Sequence, residues 1–106
     1  MTQEQIEQQF EKEYPGGTII DFKIDGEIDE TLCLRPPTSA EMETINKWII
    51  AKKAIATAKA WLKPCCVYGE VDKVLESGRA STQAFMLVNE VLGQGTATIR
   101  KRKSAS

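Results

Sequence analysis

The chain has 106 residues, of which 42% are hydrophobic and 27% charged, with a formal net charge of −1 and no histidine. This composition indicates one soluble globular domain, and the near-zero net charge predicts no general attraction to nucleic acid or to anionic membranes. The chain has no apolar run of about 20 residues, and it starts with a polar, acidic segment, so we expect neither a membrane span nor a secretory signal. The sequence therefore predicts a cytoplasmic protein.

Residues 2–14 are predicted to form a short amphipathic helix. Ile6 and Phe10 lie four residues apart and give this helix one narrow apolar stripe. The sequence Pro15-Gly16-Gly17 ends it, because proline and glycine are the strongest local breakers of regular structure.

Residues 18–34 are predicted to form a β-hairpin. In the first strand, charged residues alternate with three apolar ones, Ile20, Phe22 and Ile24. Asp25-Gly26 is a preferred dipeptide of tight hairpin turns. The apolar residues of the returning strand are less regular, so we expect a bulge or a turn slightly longer than two residues. A lone hairpin is marginal in water, so it must pack on a helix or pair with strands of another copy.

Residues 38–62 are predicted to form one long central helix. This stretch contains no proline or glycine and is rich in alanine, lysine and glutamate. Thr38 and Glu41 have the spacing of a capping box, and Pro64 is expected to end the helix. A helix of roughly 24 residues is about 36 Å long.

The predicted long helix is apolar on two sides. Its first stripe consists of Trp48, Ala51, Ile55, Ala58 and Leu62, and its second of Ile50, Ala54, Thr57 and Trp61. Either both stripes are buried in a central helix, or one of them meets a partner. We expect the first stripe to be core, so that Ile55→Asp unfolds the domain.

The second stripe is the candidate partner-binding surface. A large apolar patch on a monomer usually marks a contact, so we expect self-association rather than a simple monomer. The predicted partner-binding residues are Trp48, Ile50, Ala54 and Trp61. Trp61 is the expected main contact, since tryptophan often dominates interface energies.

Two further helices and a tail are predicted after the long helix. Residues 70–77 form a brief helix, with Gly78 just after its end. Ser81 is expected to cap the last helix, which Gly93 and Gly95 terminate. We expect the flexible basic tail to span residues 96–106.

The sequence shows no catalytic, cofactor-binding or metal-binding centre. There is no histidine, and no glycine-rich phosphate loop with its lysine. The chain has three cysteines, Cys33, Cys65 and Cys66. Their odd number does not indicate a disulfide framework and their spacing is not that of a zinc site, so we interpret them as reduced and structural. We therefore predict that the protein is not an enzyme and binds no cofactor.

The basic tail leaves one alternative function open. Its four consecutive basic residues, Arg100, Lys101, Arg102 and Lys103, could contact phosphate backbones by charge alone. Attraction to the acidic N-terminal half or to another protein explains them equally well. A small accessory nucleic-acid-binding protein is thus an alternative, although we do not expect it.

Several short motifs resemble those of tail assembly chaperones of long-tailed bacteriophages. After the hairpin, residues 32–41 show a strand followed by the pattern R-x-P-T-x-x-E, formed by Arg35, Pro37, Thr38 and Glu41. Residues 67–70 match a later v-x-g-e-like step. The final helix ends at Leu92-Gly93 and is followed by the basic tail, so the resemblance covers residues 18–103.

The resemblance implies a non-enzymatic role in the cytoplasm of the host cell. Chaperones of this family coat the long tape-measure protein, help to recruit tail-tube subunits, often self-associate and are absent from the finished particle. No catalytic or cofactor residues carry over from the family. A minor structural subunit of a phage particle is a further alternative.

The expected fold is α+β: a mainly helical single domain over residues 1–95, with an N-terminal β-hairpin and a long central helix. The alternative is an all-α bundle in which the hairpin segment is irregular.

Overall fold

The computed structural model describes residues 2–92 and shows a mainly helical α+β fold, which confirms the predicted fold class. Within these residues, five helices accompany one three-stranded antiparallel sheet of order β1-β2-β3. The elements in chain order are α1 (Gln3–Glu13), β1 (Thr18–Ile24), β2 (Ile28–Leu34), α2 (Ser39–Ile50), α3 (Ala54–Cys65), β3 (Cys66–Tyr68), α4 (Val71–Glu76) and α5 (Gly78–Leu92). None of the helices in this part of the chain is long and apolar enough to cross a bilayer.

The predicted β-hairpin is present, and its turn is longer than two residues, as expected. β1 pairs with β2 from Thr18 opposite Leu34 to Ile24 opposite Ile28, which leaves three residues in the turn. Gly26 sits at the centre of this turn with a φ of 74°, a left-handed conformation that glycine adopts without steric cost. The irregular apolar pattern that opens β2 thus reflects the turn length rather than a bulge in the pairing of β1 with β2.

The third strand was not predicted. β3 pairs with β2 through Cys33 opposite Tyr68 and Leu34 opposite Cys66, with a shift of register between these two pairs. A strand of three residues is too short to show an alternating pattern, so the sequence indicated only an apolar connection.

The predicted long helix is broken into two, α2 and α3, by a turn over residues 51–53. On one unbroken helix, Ile45 and Ala58 would point about 140° apart around the axis, at 100° per residue. Both are fully buried in the same hydrophobic core. The turn therefore allows both halves of the segment to face that core, and the prediction of a continuous helix was wrong.

Backbone hydrogen bonds define the break. The Lys52 N–H donates to the Ile49 carbonyl at 2.9 Å, and the Lys53 N–H donates to the Trp48 carbonyl at 3.0 Å. This is the Schellman pattern of helix ends, which places the residue after the cap in a left-handed conformation. Lys52 occupies that position with a φ of 59°, where glycine is usual.

α3 also ends later than expected, because it continues past Pro64 to Cys65. Pro64 lies one residue before the helix ends, so its missing N–H and the crowding of its ring against the carbonyl four residues earlier affect only the last turn.

The core lies between one face of the sheet and the helices α3, α4 and α5. α3 presents one continuous buried face, formed by Thr57, Ala58, Trp61, Leu62 and Cys65. α2 contributes Ile45, with Met42 and Ile49 packed partly against the core. The buried residues of α2 belong to neither predicted stripe, and those of α3 are drawn from both. The buried face of α3 therefore does not continue the buried face of α2 around a common helix axis.

The last two helices are joined differently from the prediction. Ser77 rather than Ser81 caps α5, because its Oγ accepts a hydrogen bond from the Ala80 N–H at 3.1 Å. Ser81 is buried, and its Oγ donates to the Val74 carbonyl at 3.4 Å. The predicted ends of this helix at Gly93 and Gly95, and the tail over residues 96–106, lie outside the described residues.

Candidate partner-binding notch

The helical hairpin α2–α3 is fixed to the sheet at its base. Arg35, directly after β2, forms a bidentate ion pair with Glu41 of α2, with Nη1–Oε1 and Nη2–Oε2 distances of 3.0 and 2.8 Å. Its Nη2 also donates to the Pro64 carbonyl at 2.9 Å, near the end of α3. One side chain thus joins the end of β2, the start of α2 and the end of α3.

A capping box strengthens the same corner, as predicted. The Thr38 Oγ1 accepts a hydrogen bond from the Glu41 N–H at 3.2 Å, and the Thr38 N–H donates to Glu41 Oε1 at 2.9 Å. The hydrogen bonds from Arg35, and then the one from the Thr38 backbone, lower the pKa of the Glu41 carboxyl from 4.5 to about 2. The carboxylate is therefore charged at any pH near neutrality.

The other end of the hairpin carries an apolar notch of about 740 Å³ between α2 and α3. Most of its surface is apolar, and three exposed lysines are among its lining residues. The lining residues are Thr44, Trp48, Lys52, Lys53, Ala54, Ile55, Ala56, Lys59 and Ala60. A concave apolar groove between two helices is a common place for a ligand or a partner helix to bind.

Large apolar side chains are exposed at this end of the hairpin. Ile55, in the first turn of α3, is 46% exposed and lines the notch. Ile50, the last residue of α2, is 80% exposed beside the turn. Within residues 2–92, the one other large hydrophobic residue with such exposure is Met86 on α5. Exposed apolar surface is therefore concentrated at the tip of the hairpin.

Trp48 supplies the aromatic surface of the notch. Its side chain is half-buried, and the Lys47 Nζ lies 4.8 Å from the ring centroid, within cation–π distance. The indole is thus held on the α2 side of the notch while part of its surface stays accessible.

The structure separates the four predicted partner-binding residues. Trp48 and Ala54 line the notch, and Ile50 is exposed beside it. Trp61 is only 1% exposed and is packed in the hydrophobic core, so the prediction that it contacts a partner was wrong. The turn at residues 51–53 changes the direction of α3, so the second stripe faces the surface from Ile50 to Ala54 and the core at Thr57 and Trp61.

The sequence prediction for Ile55 was wrong in the other direction, because a residue expected in the core lies at the surface. We expected it at the centre of the buried stripe, but it lies in the first turn of α3 and contributes to the exposed notch. A signal for this was present in the sequence: Met42, Ile45 and Ile49 form a third apolar series on α2 that cannot share a face with Ala58 and Leu62 on a continuous helix.

The cysteines are placed for packing rather than reactivity. Cys33 and Cys65 are buried free thiols, and burial is the main cause that raises the pKa of each to about 11. Cys66 is half-buried, and its thiol pKa is also raised by burial. A thiol with a raised pKa is a poor nucleophile at neutral pH. Among residues 2–92 there is no cluster of three potential metal ligands.

The four basic residues that could bind phosphate backbones, Arg100, Lys101, Arg102 and Lys103, lie outside the described residues. Compared with protein-family models, curated proteins and solved structures, the chain shows no match. The features of the chain that bear on its function are therefore the notch and the short motifs of the sequence.

Proposed function

We propose that this protein is a non-enzymatic phage tail assembly chaperone, which binds helical segments of the tape-measure protein in the host cytoplasm and assists tail-tube assembly. The observation that carries the proposal is the open apolar notch between α2 and α3. A helix-binding protein needs such a groove, because an amphipathic helix buries its apolar side chains in it at spacings of three and four residues.

The arrangement of the hairpin supports a binding role. The base of α2–α3 is held by the bidentate pair of Arg35 with Glu41, whereas the tip exposes Ile50 and Ile55. Fully burying an exposed isoleucine side chain is worth about 1.5–3 kcal/mol. Ile50, which is 80% exposed, can gain most of this on binding, and Ile55, which is 46% exposed, can gain about half of it. A partner that covers them gains this energy without rearrangement of the core.

The family resemblance supports the same proposal. The residues that carry it hold the base of the hairpin in place and do not line the notch. In the pattern R-x-P-T-x-x-E, Arg35 and Glu41 form the ion pair, and Thr38 and Glu41 form the capping box. These contacts orient α2 and therefore the groove that it forms with α3. The motif thus has a structural role here, whereas the surface for the partner lies at the other end of the hairpin.

Co-expression with the tape-measure protein of the same genome tests this function. We expect the chain to increase the soluble fraction of the tape-measure protein and to co-purify with it. Ile55→Asp places a charge in the notch and should abolish both effects. The matched control is Met86→Asp, because Met86 is 71% exposed on α5 and does not line the notch.

Two results would contradict the proposal. One is a tape-measure protein whose solubility does not depend on this chain. The other is equal loss of co-purification in Ile55→Asp and Met86→Asp when both variants melt like the wild type, because binding would then not use the notch.

A further inference from the structure

The notch is basic, although the described part of the chain has more acidic than basic residues. Three of its nine lining residues are lysines, Lys52, Lys53 and Lys59, and none is acidic. From Ser39 to Cys65 the chain has five lysines and two glutamates, whereas residues 2–92 as a whole have ten basic and fifteen acidic residues. Positive charge is therefore concentrated on the helical hairpin.

The lysines of the notch have no ion-pair partner in the described part of the chain. Within residues 2–92, no ion pair joins Lys52, Lys53 or Lys59 to a carboxylate. Glu41 is bound to Arg35 at the base of the hairpin. The three lysine side chains are exposed and line a mostly apolar notch, and this combination is complementary to an amphipathic helix with acidic residues beside its apolar stripe.

We propose that the notch selects a partner helix that carries aspartate or glutamate beside its apolar stripe. The inference rests on the proposed function in one respect, since both place a helix between α2 and α3. The apolar stripe would cover Trp48 and Ile55, and the flanking carboxylates would pair with Lys52, Lys53 and Lys59. Such pairs at a rim contribute more to selectivity and association rate than to affinity.

A second copy of this chain does not have the chemistry of this occupant. A symmetric contact of notch with notch would place lysines against lysines, and like charges in an interface are costly. α1 is acidic, but its central apolar residue Phe10 is already buried against the same molecule. Outside the hairpin, Met86 is the single strongly exposed large hydrophobic residue of the described surface, which is too little for a helix stripe.

Two synthetic peptides test the charge selectivity. Both have the same leucine stripe and about 20 residues, enough to form a helix in isolation, but one has glutamate and the other lysine at the flanking positions. Neither contains tryptophan, so the emission of Trp48 in the notch reports binding, while buried Trp61 gives a constant background. We expect the acidic peptide to bind about tenfold more tightly at low salt. This difference should shrink as salt rises.

Charge-reversed variants localise the effect. The triple variant Lys52→Glu, Lys53→Glu, Lys59→Glu should bind the lysine peptide more tightly than the glutamate peptide. The matched control, Lys12→Glu with Lys23→Glu, changes exposed lysines on α1 and β1 and should keep the wild-type preference. Circular dichroism of each variant shows whether its helix content is retained.

Several outcomes would overturn the inference: equal binding of both peptides, binding of neither, or the same loss of preference in the control variant. Tighter binding to vesicles containing phosphatidylserine than to the acidic peptide, with loss in Ile55→Asp, would assign the notch to a membrane surface instead. The failures are distinguishable. Tape-measure binding without charge preference leaves the proposed function standing, whereas acidic-peptide selectivity without tape-measure binding leaves only this inference.

Discussion

The two ends of the α2–α3 hairpin are built from opposite kinds of contact. At the base, Arg35 joins the end of β2 to Glu41 of α2 and to the Pro64 carbonyl near the end of α3. At the tip, Ile50 and Ile55 are exposed, and three lysines of the notch have no carboxylate partner within residues 2–92. The base therefore specifies where the helices lie, and the tip leaves apolar and charged side chains uncovered.

This difference explains why the same stretch of sequence serves two purposes. The Schellman turn at residues 51–53 lets α3 direct Trp61 and Leu62 into the core, while Ile55 near its start stays outside. A straight helix would have spread its apolar residues around the axis without forming a concave groove. The break is thus the feature that creates the notch, and substitutions on either side of it should have different consequences.

The largest effect is expected for Trp61→Ala at the buried end. Removing a fully buried tryptophan leaves a cavity, and we expect a loss of about 3–5 kcal/mol in the free energy of unfolding. Urea denaturation measures it. Trp48→Ala is the matched control, because Trp48 is half-buried, and its loss should be clearly smaller. Equal losses in the two variants would show that the ends of the hairpin do not differ in burial.

A smaller effect is expected for Thr38→Ala at the base. The Thr38 Oγ1 caps α2 by accepting from the Glu41 N–H, and losing such a cap costs about 1 kcal/mol. The matched control is Thr44→Ala, an exposed threonine within α2, which should change stability by only a few tenths of a kcal/mol. Chemical denaturation measures the free energy of unfolding of both variants. A similar loss in both would show that the Thr38 cap does not stabilise the base of the hairpin.

Lys52→Gly should act in the opposite direction. Lys52 has a left-handed φ of 59°, and relief of that strain outweighs the greater flexibility of glycine in the unfolded chain by about 0.5 kcal/mol. Lys53→Gly is the control, because Lys53 has an ordinary φ of −101° and should gain nothing. A lower melting temperature for Lys52→Gly would contradict the turn geometry on which the notch depends.

The smallest effect is expected from acid titration of Glu41, because both members of its ion pair are partly exposed. The folded-state pKa of about 2 lies below the ordinary value of 4.5, so the pair stabilises the fold above pH 4.5. This contribution is lost as the pH falls from 4.5 towards 2. The melting temperatures of the wild type and Glu41→Gln should therefore converge over that range. A difference in melting temperature that does not depend on pH would show that the charge of Glu41 is not its cause.

Much of the fold could be predicted from the sequence where the signal is local. The alternation around Ile20, Phe22 and Ile24 indicated the first strand, and Thr38 with Glu41 indicated the start of α2. These features depend on neighbouring residues only. The break at residues 51–53 could not be predicted in this way, because Ala51-Lys52-Lys53 has high helix propensity and contains no glycine or proline.

The candidate site was only partly predictable for the same reason. Its position follows from the core, which must bury Ile45 and Ala58 on the same side, and this is a tertiary requirement that overrides local propensity. Trp48 and Ala54 line the notch, and Ile50 lies beside it, because they lie before or at the start of α3; their role in partner binding stays a prediction. Trp61 and Ile55 were assigned to the wrong surfaces. The prediction assumed one continuous helix, so it positioned the residues after the break as if α3 continued the direction and rotation of α2.

The most direct test of the account compares the unfolding of Ile55→Asp with that of Ala58→Asp, two substitutions three residues apart on α3. Ile55 is exposed in the first turn of the helix, where an acidic residue interacts favourably with the helix dipole, so its unfolding free energy should stay within about 0.5 kcal/mol of the wild type. Ala58 is fully buried, and an unpaired carboxylate there should unfold the domain. An unfolded Ile55→Asp together with a stable Ala58→Asp would contradict the account, because the notch would then be core.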